Sequence, residues 1–185
     1  MVSATLAPIA LIGGWTVAGA RQPSGYGAVS DTISALASAE ATDSWIMTVG
    51  FAVLGTCHVV TALGLLEARP AGRWVLGLGG ATALLVATFP QPSPVHVPAA
   101  TVSFVALALW PALSGVPNRV AGWAATGVLT GMLTWFALEL GEDRVGLAER
   151  GVAAAQVLWP LATVWAVLLR SRVTCRGAGR RVGPS

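Results

Sequence analysis

The chain has 185 residues, 55% hydrophobic and only 10% charged, with a formal net charge of +3 and a mean hydropathy of +0.71. Soluble domains carry about 25% charged residues, so this composition excludes an ordinary soluble domain and points to an integral membrane protein. Lysine is absent, and Arg170, Arg172, Arg176, Arg180 and Arg181 crowd the last sixteen positions; a basic tail after an apolar run suits anionic lipid headgroups rather than nucleic acid.

A bilayer core of about 30 Å requires roughly 20 apolar residues as helix. The first such run covers 2–20. Ala18-Gly19-Ala20 resembles a signal-peptide cleavage site, but no basic residue precedes the run, so it reads as a retained span. Next comes GYGAVSDTISALASAEATDSW, residues 25–45, which holds Asp31, Glu40 and Asp43, three of only eight acids. Within it, residues 30–36 read as a short helical turn begun by a polar cap. Asp31 and Ser34 lie three apart and share a side of that turn, while Ile33, Leu36 and Ala37 can pack it onto the bundle mouth. The segment is therefore expected to be an interfacial or re-entrant helix rather than a loose loop.

The second run, near 45–66, contains Cys57 and His58. His58 is the one ionisable group placed deep in a span. Intramembrane ionisable residues are functional candidates by default, yet a neutral histidine can equally bond a carbonyl or a nearby threonine such as Thr56 or Thr61. The third run, near 74–89, is short and would require local thinning or anchoring by Arg73 and Trp74. The turn FPQPSPVHVP follows, with prolines at 90, 92, 94 and 98 and His96 at the start of the fourth run, near 97–114. A rigidly held histidine there suits ligand binding or acid–base work, or simple capping. In the fifth run, near 120–139, Gly127 and Gly131 form a G-x-x-x-G that marks a close-approach face. Thr126, Thr130 and Thr134 recur on one side of it. The loop 140–150 then carries Glu142, Asp143, Arg144, Glu149 and Arg150, and the sixth run lies near 151–169. Glu149 there suits the positive end of the last helix. Leu-Trp-Pro occurs in both the fourth and sixth runs, at 109–111 and 158–160, where proline removes a backbone bond and kinks the helix. Cys57 and Cys175 fall at different membrane levels and are not expected to bridge.

These runs are longer than barrel strands and apolar all round. The expected fold is all-α: a bundle of six transmembrane helices over 1–170 with a short interfacial helix after the first span, and a disordered basic tail over 171–185. Arginines set the orientation. Arg69, Arg73, Arg119 and the five in the tail lie on one side, against Arg21, Arg144 and Arg150 on the other, so both termini are expected in the cytoplasm of a cell-membrane protein.

Outside, the reading assembles a polar cluster of Asp31, Ser34, Asp43, His96, Glu142 and Asp143, with Glu139, Glu149 and Arg150 beside it. Asp31, Ser34, His96 and Asp143 are the candidates for catalysis; the full set less Asp143 is the candidate ligand site. No ligand-spaced metal motif, nucleophile elbow, Walker loop, CxxC or dinucleotide fingerprint is present, so no metal site is assigned and any cofactor stays open. Three functions remain: binding of a lipid, small solute or partner at the outer mouth; a membrane enzyme acting on a lipid or isoprenoid headgroup; and a small-solute transporter. Membrane lipids are the expected partners.

The run SDTISALASAEATDSWIMTVGFAVLGTCHVVTALGLL resembles the domain-of-unknown-function family 998, through Ile33, Ser34, Leu36, Gly50 and Gly55. Phe89-Pro90 followed by His96, and Gly146-Leu147-x-Glu149-Arg150 leading to Trp159-Pro160, are similar to it as well. Gln91 stands where many relatives have Asp. The resemblance implies a bacterial or archaeal membrane protein of about six spans, and no activity. Alkaline-ceramidase-like hydrolases bind zinc through three histidines; two histidines are too few for that pattern.

Overall fold

The structure is a computed structural model that describes the backbone of residues 1–179 and the side chains of residues 1–170. The expectations for the tail 171–185 and for Cys175 fall mostly outside the described residues. Among the described residues six α-helices follow in order: α1 (Val2–Ala20), α2 (Trp45–Gly64), α3 (Pro70–Thr88), α4 (His96–Ser114), α5 (Arg119–Leu138) and α6 (Val145–Gly179). Each is long and apolar enough to cross a membrane. A single 3-10 turn, Ser34–Ala37, stands between α1 and α2.

Two expected boundaries move. The third span is a full 19 residues and starts at Pro70. Proline at the first helical position has a preset φ and lacks an N–H that would be unpaired there anyway. Local thinning is therefore not required. Arg73 turns back on α2 instead of serving as a loop charge: its guanidinium donates to the carbonyls of Ala62 and Leu63, 2.8 Å each, satisfying acceptors left over at a helix C-terminus. The last helix starts at Val145 rather than 151, so Glu149 and Arg150 sit in its second turn. Their charges made them read as loop.

Helices adjacent in sequence pack side by side, and α6 closes the ring against α1. α4 also touches α6, which leaves α5 at the periphery. Lipid tails are as apolar as leucine, so such spans are held by close packing and hydrogen bonds. The α2–α3 crossing shows this. A Cβ on Gly55 would lie 2.6 Å from the Gly80 carbonyl oxygen, and one on Gly80 would lie 2.7 Å from that of Gly55. By contrast, a Cβ on Gly127 or Gly131 would meet nothing within 4 Å. The expected close-approach face of α5 is not a contact within the bundle, because α5 turns that side outward. Thr126 bridges to α4, accepting from the Ala112 N–H at 3.1 Å beside Pro111. Thr134 bonds its own helix, at the Thr130 carbonyl. Trp45, Trp74 and Trp123 are exposed near helix ends, as aromatic belts require.

Residues 21–44 fold down over one end of the ring. Ile33, Leu36 and Ala37 are at most 2% exposed and join the core around Leu11, Met47 and Phe51. For a segment drawn out of water, burying an Ile or Leu side chain contributes about 1.5–3 kcal/mol.

Candidate functional site

The segment 27–34 is fastened by the start of α6. The Asp31 carboxylate accepts from the Gly27 N–H at 2.7 Å, and the Asp31 N–H returns to the Gly27 carbonyl at 2.7 Å. This closes a tight turn whose carbonyls face α6. Arg150 takes them: it donates to the Ala28 and Asp31 carbonyls at 2.7 Å each, to its own Gly146 carbonyl at 3.0 Å and to the Tyr26 hydroxyl. Burial pushes the Tyr26 hydroxyl above its ordinary value, against the pull of the Arg150 cation, so it accepts as a neutral phenol at pH 7. The Leu147 N–H donates to the Val29 carbonyl at 3.0 Å, pairing one of the donors that a helix start leaves open. Gly146 is required at the contact, since a Cβ there would come within 2.2 Å of the Asp31 carbonyl oxygen.

Glu149 points the other way, into the bundle, and is 3% exposed. Its carboxyl oxygens accept from the Ile33 N–H and from the Ser34 hydroxyl, the latter at 3.2 Å. It pins the turn Ser34–Ala37 in place; it is not the first-turn dipole partner expected from its position in the sequence.

Beneath this latch lies a cavity of about 50 Å³. Side chains from α1, α2, α3, α4 and α6 form its walls, including Leu11, Phe51, Val86 and Phe104. Its polar groups are Ser34, His58, Ser103, Glu149 and Gln156. The Ser103 hydroxyl donates to the Gly79 carbonyl at 2.9 Å. His58 bonds through Nδ1 to the Leu54 carbonyl at 2.9 Å, so a backbone carbonyl one turn back is its partner, and neither Thr56 nor Thr61 is. The Gln156 amide nitrogen donates to the Phe104 carbonyl at 2.9 Å. His58 Nε2 and Gln156 Oε1 are buried with no protein partner. Buried polar groups are almost always paired, with protein or with ordered water.

The sequence-derived cluster separates into five places. Ser34 and Glu149 meet at the cavity, with Asp31 and Arg150 in the latch above it. Asp43 pairs with Arg21 at 2.7 Å on the surface. His96 is 1% exposed; its Nδ1 bonds the Phe89 carbonyl at 3.0 Å, which fixes the proline-rich turn to α4. Glu139 accepts from the Trp135 indole at 3.0 Å one turn back. Glu142 and Asp143 are exposed on the connection between α5 and α6. Among the described residues no three His, Cys, Asp or Glu side chains gather as a metal would require. Sequence reading did not place Gln156, Ser103 and Tyr26 at the site. Gln156 had a usable signal: it lies seven residues after Glu149, on the same face of one helix.

The model of a family described as "Protein of unknown function (DUF998)" matches residues 5–166. The chain belongs to this family. No curated protein and no solved structure matches it. Both the latch and the cavity lie within the span that the family covers.

Proposed function

We propose that this integral membrane protein binds a small molecule in the cavity beneath the 27–34 latch. The observation that carries the reading is the pair of buried, unpartnered atoms, His58 Nε2 and Gln156 Oε1, on residues that line one cavity. Each unpaired buried polar atom costs about 1–3 kcal/mol, which a bound hydrogen-bond donor would recover. The wall is otherwise apolar with a few placed polar groups, the usual make-up of a ligand pocket. Entry is from the 21–44 side, which the arginine distribution places outside the cell, with both termini in the cytoplasm. The sequence-derived reading of an outer-mouth binding protein thus keeps Ser34, Glu149, Asp31 and Arg150, and shifts the ligand inward from the surface acids.

The test is covalent. Ala153 lines the cavity and is 7% exposed. In a chain with Cys57→Ala and Cys175→Ser, Ala153→Cys is treated with methyl methanethiosulfonate in lipid nanodiscs. Modification is expected, and Arg150→Gln should speed it by releasing the latch. A thiol that reacts only after unfolding, in both backgrounds, overturns the proposal.

A second reading is passage of the ligand across the membrane. It is favoured by Glu149, Gln156 and Thr163, buried on α6 at seven-residue spacing. It requires uptake by reconstituted vesicles above that of empty ones.

A further inference from the structure

The unpaired atoms have a chemical polarity that narrows the ligand. A backbone carbonyl can only accept. The nitrogen that His58 turns to the Leu54 carbonyl must therefore carry the proton, which leaves Nε2 as a bare lone pair. The same logic orients Gln156: its amide nitrogen must face the Phe104 carbonyl, so Oε1 is the atom left over. The Ser103 hydroxyl proton goes to the Gly79 carbonyl and the Ser34 hydroxyl proton to Glu149. Both serine oxygens keep only lone pairs. Glu149 accepts on both oxygens. Gln156 keeps one further amide N–H, but the two lining atoms left with no partner at all are both acceptors.

From this we infer that the cavity selects a small hydrogen-bond donor, a hydroxyl or amino group on a short hydrocarbon: a hydroxyl gives its one proton to His58 Nε2, and an amine supplies Gln156 Oε1 as well. This rests on the proposed binding function and deepens it. Size follows from the volume. A cavity needs about 10–15 Å³ for each water-sized group, so 50 Å³ holds roughly four non-hydrogen atoms. Acceptor-only molecules of equal size, such as ketones and ethers, bind less well because they leave both His58 Nε2 and Gln156 Oε1 unpaired. A ligand of this size binds weakly, with Kd on the order of millimolar.

The experiment uses two probes of one shape, propan-2-ol and acetone. The full chain in lipid nanodiscs is labelled with ¹⁵N histidine and titrated with each. His96 is the internal reference: its Nε2 is also buried and unpartnered, but it does not line the cavity. Propan-2-ol is expected to move the His58 Nε2 resonance upfield and saturably, leaving His96 still. Acetone at equal concentration is expected to leave both unmoved. Isopropylammonium, again of the same shape, separates the two donor sources. Tighter binding than propan-2-ol, lost in Glu149→Gln, assigns the site to amines; equal or weaker binding assigns it to alcohols. Equal responses to propan-2-ol and acetone overturn the inference. So does a wild-type His58 that neither probe moves, as when water alone occupies the cavity. The wild-type comparison decides even where a variant fails to fold. A thiol of the Ala153→Cys chain that is modified, with no donor preference in the titrations, would remove this inference and leave the binding function standing.

Discussion

Removing the Glu149 carboxyl is the sharpest perturbation of the latch. In Glu149→Leu the Ile33 N–H and the Ser34 hydroxyl lose their acceptor, and both belong to residues at most 8% exposed. An orphaned buried donor costs about 1–3 kcal/mol, and a second, longer bond adds less. We therefore expect about 3 kcal/mol less to separate the closed from the open segment. At 1.4 kcal/mol per decade, amides of residues 33–38 should exchange with deuterium roughly 100-fold faster where reclosing outpaces exchange. Glu149→Gln keeps one acceptor oxygen and should give about fivefold. Peptide-resolved exchange in nanodiscs reads both. The Leu36 and Ser38 amides, bonded to the Ile33 and Ala35 carbonyls, report opening without contacting Glu149. Unchanged protection at 33–38 would refute the reasoning. So would a rise spread evenly over α2, α3 and α4, which would make Glu149 a general core residue.

Four further outcomes follow from the same geometry. Gly146→Ala drives a Cβ to 2.2 Å from the Asp31 carbonyl oxygen; the cost should be about 1–3 kcal/mol, with faster exchange confined to 27–38. Gly55→Ala, 2.6 Å from the Gly80 carbonyl oxygen, should cost a similar amount across the whole bundle in reversible detergent unfolding, whereas Gly127→Leu should stay within about 0.5 kcal/mol of wild type. Asp43→Ala breaks the Arg21 pair, whose side chains are 60% and 30% exposed, and should cost less than about 1 kcal/mol, visible as an unchanged unfolding midpoint. In intact cells carrying the Cys57→Ala, Cys175→Ser chain, Glu142→Cys should react with an impermeant maleimide and Asn118→Cys only after permeabilisation; the reverse pattern would invert the topology.

The six helices were legible because apolar length alone marks a span. Boundaries differ where charge sits inside helix: Arg73 in α3 and Glu149-Arg150 in α6 read as loop, since a sequence does not show that a guanidinium folds back on carbonyls or that a carboxyl points inward. The apolar side of the segment was readable from Ile33 and Leu36, but where a short interfacial helix with a turn over 30–36 is expected the structure has a four-residue 3-10 turn, Ser34–Ala37. Its depth was not readable, because that depends on a partner more than 110 residues away. The G-x-x-x-G of α5 shows the opposite error. Small residues permit close approach without stating which neighbour, if any, uses it. The candidate site was legible as a list of polar residues near one end of the bundle. The sorting was missing: Asp43, Glu139, Glu142 and Asp143 have solvent and local partners, while Ser34 and Glu149 share a cavity with His58 and Gln156.

The central claim is that this cavity is built for an occupant. An experimental structure of the protein purified from its own membrane, at a resolution that shows ordered waters and small ligands, tests it most directly. The account predicts density in the space between Ser34, His58, Ser103 and Gln156, within hydrogen-bond distance of His58 Nε2 and Gln156 Oε1. A collapsed cavity, with those two atoms bonded to protein groups, would contradict it.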